Sequence, residues 1–177
     1  MPNQWNIDAS HTNAHFSVRH MMITNVRGEF QKLEGTVTFD SANPEAAKIE
    51  ATVDVASINT REAQRDGHLK SADFLDAEKF PKLTFKSKSV KAKGKDHLTV
   101  TGDLTIRGVT KEIVLDVEGP SAASTDPFGN VRVGATATTK LKRDEFGIVW
   151  NAALEAGGVL VGNDVNVTID ISLIKQK

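Results

Sequence analysis

Apolar and polar residues alternate along most of this chain, and a period of two predicts strands with one dry and one wet face. Ile49, Ala51, Val53 and Val55 are separated by Glu50, Thr52 and Asp54. Leu98, Val100, Leu104 and Ile106 alternate with Thr99, Thr101, Asp103 and Thr105. Val165, Val167, Ile169, Ile171 and Leu173 alternate with Asn166, Thr168, Asp170 and Ser172. Runs at 16–18, 30–39, 83–90, 109–117 and 131–141 bring the expectation to about eight antiparallel strands, punctuated by Asn43-Pro44, Lys93-Gly94, Gly119-Pro120 and Asp126-Pro127. With Arg107-Gly108 as a two-residue turn, Ile106 faces Val109, Leu104 faces Lys111, Gly102 faces Ile113, Val100 faces Leu115 and Leu98 faces Val117. Phe30 and Leu33 have opposite parity, which predicts a bulge between them.

One segment breaks the period. Residues 59–76 read as a helix, with Asn59 or Thr60 as its cap, Glu62 in the first turn and Ala63, Leu69 and Ala72 as an apolar stripe. A shorter helical turn is expected over 22–26. The chain reads as one all-β domain with a helical insertion. Several strands are long for a sandwich, which favours a closed barrel. Val131, Val133, Ala135 and Ala137 make one face shrink towards small residues beside Gly134, leaving a ligand cavity and a packed interior as open alternatives.

Composition narrows the chemistry. Of 177 residues 39% are hydrophobic, enough for one core, and 22 basic residues against 23 acidic give a net charge of −1. That balance argues against binding nucleic acid by bulk electrostatics. Cys and Tyr are absent, so disulfides, thiolate chemistry, Cys-ligated metals and a phenolic acid are excluded. No apolar run is long enough for a membrane-spanning helix, and MPNQWNIDASH has no basic and apolar leader pattern. The expectation is a cytoplasmic protein, or a periplasmic one if a leader was trimmed.

His11 and His15 would lie about 13 Å apart along a strand, and His20 would point to the other face, so no metal is expected there. The stretch RDGHLKSADFLD, residues 65–76, gathers Arg65, Asp66, His68, Lys70, Asp73 and Asp76. Arg65, His68 and Lys70 could hold an anionic head group, or Asp66 and Asp73 could pair with those bases and cap the helix. No nucleophile elbow, Walker loop or dinucleotide fingerprint is present. Asn166-Val167-Thr168 matches a glycosylation sequon inside an expected strand and carries no inference.

The chain resembles the YceI-like family, polyisoprenoid-binding proteins with a lipocalin-like barrel. The resemblance rests on WNIDASHTNAHFSVRH at 5–20, GEFQKLEGTVTFD at 28–40 and VASINTREAQRDGHLKSADFLDAEKFPKLTF at 55–85. It continues through GDLTIRGVTKEIVLDV at 102–117, KRDEFGIVW at 142–150 and GNDVNVTIDISL at 162–173. It implies an eight-stranded antiparallel barrel with a helical element near its mouth, enclosing a polyisoprenoid (isoprenoid quinones included) or a similar fatty amphiphile. No other cofactor and no catalytic motif comes with it.

With that barrel, Phe16, Val18, Val53, Val55, Phe85, Leu104, Ile106, Val133, Ala135 and Ile169 would line the tunnel. Met21, Met22, Ile58, Leu69, Phe74, Phe146 and Trp150 would surround the mouth, with Arg65 and His68 as head-group contacts. The expected activity is to sequester or transport the lipid. The rivals are a lipid isomerase or cyclase using His68 with Asp66 or Asp73, and a packed barrel with a structural or partner-binding role. Barrel sides can also pair as homodimers.

Overall fold

The computed structural model describes residues 3–40, 42–152, 154 and 159–177. Its strands are β1 (Asn3–Ile7), β2 (Asn13–His20), β3 (Thr24–Phe30), β4 (Leu33–Phe39), β5 (Lys48–Asp54) and β6 (Ile58–Asn59). The α-helix found among the described residues, α1 (Ala63–Lys70), precedes β7 (Lys82–Ala92), β8 (His97–Ile106), β9 (Val109–Glu118), β10 (Ser124–Thr125), β11 (Val131–Lys142) and β12 (Val161–Lys175). All pairings are antiparallel, and β11 meets β12 along Arg132–Lys142, closing the sheet on itself. The short segments are halves of longer strands: β1 runs on into β2, β3 into β4 and β5 into β6. Counted this way the barrel has eight strands, each beside its neighbour in sequence.

The three interruptions have local causes. The Asp8 side chain accepts from Ser10 N and starts a 3-10 turn at Ala9–His11. Asp54 does the same for Val55–Ser57 by accepting from Ala56 N. Between them Gln31 and Lys32 leave the ladder, yet Gln31 N donates to Ser57 O and Asp54 N to Lys32 O, so these two breaks lie side by side. The break after Phe30 changes parity, which keeps Phe30 and Leu33 both facing inward as the alternation predicts. In β7 a bulge between Ser87 and Ser89 likewise moves the inward face from Leu83 and Phe85 to Val90.

The β8–β9 hairpin has the expected register at every pair from Ile106↔Val109 to Leu98↔Val117. Arg107 and Gly108 take positive φ of 52° and 74°, the type I′ geometry. Two local expectations are corrected. The helix begins at Ala63, not at 59, and its cap is Glu62, whose carboxylate accepts from Gln64 N and Arg65 N. Ile58 and Asn59 are instead held as strand against Glu29 and Phe30. The helix stops at Lys70 because the following loop folds back: Leu75 N and Ala77 N satisfy the carbonyls of Leu69 and Lys70. Residues 22–26 form no helical turn, since Thr24–Phe30 is drawn into a ladder with β2.

At the end of the barrel away from α1, Arg132 joins two carboxylates. It donates through Nη1 to Asp8 at 2.7 Å and through Nε to Asp126 at 2.6 Å. Burial would raise the Asp8 carboxyl, but hydrogen bonds from Arg132, His11 and Ser10 outweigh it and hold the group far below the usual range. Arg132, helped by the Asn130 N–H, lowers Asp126 to about 2. Both carboxyls titrate lower folded than unfolded, so the stability they contribute is present above the ordinary value of 3.8 and is lost as pH falls towards about 2. An Arg132→Gln variant should therefore melt below wild type at neutral pH, with the gap closing across that acid window. A gap that stays constant in melts down to the acid limit would refute the linkage.

Candidate functional site

The inward faces enclose a cavity of about 620 Å³, within the range of small-molecule sites. Its wall is aliphatic and aromatic, drawn from every one of the eight strands and from α1. Phe16, Val18, Val53, Phe85, Leu104, Ile106, Val133, Ala135 and Ile169 lie on it, as do Ile58, Leu69, Phe74, Phe146 and Trp150. Two glycines make room for aromatic rings inside. A Cβ on Gly28 would fall 2.5 Å from the Phe16 ring, and one on Gly102 would fall 2.5 Å from the Phe85 ring.

One residue expected on the tunnel wall is elsewhere. Val55 is buried in the core cluster with Phe74, Leu83 and Ile148, because the 3-10 turn begun by Asp54 takes it off the strand face. Met21 and Met22 form the exposed tip of the β2–β3 hairpin, beyond the last inward position of β2.

The mouth is built at the α1 end. The His68 ring stands edge-on to Phe74 at 4.9 Å and to Trp150 at 4.8 Å, while its Nε2 meets Asp73 at 2.9 Å. Arg65 donates through Nε to the Thr60 hydroxyl at 2.8 Å and through Nη2 to the Thr60 carbonyl at 2.7 Å, which fixes the guanidinium at the rim. Asp66 does not pair with a base as expected; it accepts from the backbone and hydroxyl of Thr60. Among the described residues, Arg65, His68, His20 and Arg143 are the ionisable groups at the cavity wall, His15 and Arg19 border it from the exposed face of β2 opposite Phe16 and Val18, and no carboxylate borders it.

Arg143 is the residue that sequence reasoning missed. Buried at 7% exposure, it donates to the carbonyls of Gly162 at 2.8 Å, Ile148 at 2.9 Å, Trp150 at 2.9 Å and Val161 at 3.1 Å. Burial pushes its guanidinium below the ordinary value, with Asp144 pulling the other way. It fastens the residues after β11 to the start of β12 and so shapes one side of the mouth. Its only signal in sequence was membership of the KRDEFGIVW block.

The histidines do not converge. His11 is held by Asp8 at 2.6 Å, His15 faces Glu29 at 3.9 Å and His20 pairs with Val161. Among the described residues no group of three His, Asp or Glu is placed to hold a metal ion.

Comparison with known proteins agrees with this geometry. The family described as the YceI-like domain matches residues 5–173. The chain belongs to the YceI-like family. A UPF0312 protein of Staphylococcus aureus is 38% identical over 158 residues, covering 89% of this chain and 90% of the relative. The YceI protein of Campylobacter jejuni is 31% identical, with a TM-score of 0.75 over 90% of both chains. Two more distant structures share the YceI-like fold. BcnA of Burkholderia cenocepacia has a TM-score of 0.80 at 21% identity, over 94% of this chain and 98% of its own. A polyisoprenoid-binding domain from Saccharophagus degradans has a TM-score of 0.70 at 14% identity, over 97% and 98%.

Proposed function

We propose that this YceI-like barrel binds a polyisoprenoid or similarly long amphiphile, tail in the cavity and head group at the mouth, and thereby sequesters or carries it. The observation that carries the reading is the enclosed apolar cavity with its basic groups and no carboxylate on the wall. Each tail methylene removed from water there contributes about 0.8 kcal/mol. A prenyl chain, an isoprenoid quinone among the candidates, needs no polar partner along its length. Arg65, preorganised by Thr60, and His68 are the candidate head-group contacts. The Saccharophagus degradans neighbour, described as polyisoprenoid-binding, supports the same ligand class.

A catalytic reading with His68 and a carboxylate as acid and base has weaker support. His68 lies on the wall, but Asp73 is half exposed beyond it and Asp66 is occupied by Thr60. Organic extraction of the purified protein followed by mass spectrometry should yield a stoichiometric amphiphile. Clean extracts after expression in several hosts would overturn the proposal.

A further inference from the structure

Among the described residues seven large hydrophobic side chains are exposed, and five of them, Met21, Met22, Ile23, Val149 and Val159, sit at the mouth end. Their segments are tied together: Met21 N donates to Leu160 O at 2.7 Å, Leu160 N donates to Ala152 O at 2.9 Å, and His20 pairs with Val161. Leu160, Val161 and Trp150 also line the cavity, so the exposed apolar patch is continuous with the opening.

Folding alone does not account for the tip. Met21 and Met22 have φ of 52° and 62°, a turn geometry that favours Asn and Gly and strains other residues. Their side chains are 43% and 57% exposed and Ile23 is 69% exposed, so burial within the barrel offsets little of that strain. Charge supplies the complementary observation. Residues 16–28, the strand ends that carry the tip, contain Arg19, His20 and Arg27 and no Asp or Glu, in a chain whose net charge is −1. Arg19 on β2 and Arg27 on β3 are exposed and flank the tip.

We propose that this face docks on an anionic lipid bilayer, with Met21, Met22 and Ile23 inserted at the head-group boundary and Arg19 and Arg27 on lipid phosphates. Shallow apolar insertion combined with flanking cations is how peripheral proteins hold a membrane surface. Docking in this orientation points the cavity mouth at the membrane. That purpose rests on the lipid reading of the cavity, while the docking itself can be measured separately.

The test is flotation with vesicles of phosphatidylglycerol and phosphatidylethanolamine, against vesicles of phosphatidylcholine alone. Wild type should float with the anionic vesicles and less with the neutral ones. Met21→Asn with Met22→Gly suits the turn better, so it should melt at least as high as wild type. The same variant should partition roughly tenfold or more weakly, the equivalent of one buried apolar side chain. Ile23→Ser, which leaves the turn backbone alone, should weaken flotation in the same direction. Wild type that stays with neither vesicle, or variants that float like wild type, would overturn the proposal. So would a wild-type dimer that the tip variant dissociates without any vesicle binding, which would assign the patch to a second copy. Extracted lipid is measured on the same samples: a filled barrel that does not float refutes docking alone, and an empty barrel that floats refutes the cavity reading alone.

Discussion

Ile169→Trp should empty the barrel without unfolding it. Ile169 is half-buried on the cavity wall, paired with Ala137 on one side and Ala14 on the other. Replacing it adds about six heavy atoms to a space that would otherwise hold ligand, equivalent at about 0.8 kcal/mol each to roughly 4–5 kcal/mol of lost tail burial. That corresponds to a loss of affinity on the order of a thousandfold. In a solidly packed barrel the same change would instead overpack the interior and cost about 1–3 kcal/mol of stability. Extraction and a thermal melt on one preparation separate the two. Retained melting temperature with lost lipid is the expected pair; a destabilised variant that keeps its lipid would show that Ile169 faces packed core.

Arg143→Met should be among the most destabilising single substitutions in the described chain. It leaves the carbonyls of Gly162, Ile148 and Trp150 without their side-chain donor in a largely buried setting, while the Val161 carbonyl keeps the Asn151 amide at 2.7 Å. Unsatisfied buried acceptors cost about 1–3 kcal/mol each when water cannot reach them. With partial hydration of the mouth, a loss of about 4 kcal/mol is expected, or roughly 10 °C in melting temperature for a domain of this size. Lys should not rescue, because one ammonium cannot reproduce the planar fork that spans these carbonyls. A change below about 1 kcal/mol in denaturant melts would mean that the carbonyls find other partners.

Different kinds of residue made different parts of the molecule legible. The β8–β9 hairpin could be registered in advance because its turn chemistry and its alternation agree, and each is local. The parity change between Phe30 and Leu33 was visible for the same reason. Strand β1, with the buried Trp5, and most of β3 escaped notice, because NQWNI and TNVRGEF carry too few apolar residues to alternate. Their strand state comes from neighbours: β1 is held by β4 and β12, and β3 by β2. The helix boundary failed because Asn59 and Thr60 look like caps in isolation, while the pairing of Asn59 with Glu29 takes them out of reach.

The site divides along the same line. The alternating positions on β5, β8, β11 and β12 are enough to place Val53, Leu104, Ala135 and Ile169 on one enclosed surface, since a strand has only two faces and one must be dry. Alternation stops being informative at an interruption. Whether Val55 continues the wall or drops into the core is decided by Asp54 capping a 3-10 turn. The sequence therefore determined by itself that this chain has long two-faced strands and, through its family resemblance, that they close into a barrel. Only the tertiary structure decided that the interior stays open, that the mouth is braced by Arg143, and that Met21 and Met22 are exposed on the hairpin tip beside it. Those outcomes depend on contacts between segments far apart in the chain, where local pattern carries no information about what the next strand will bring.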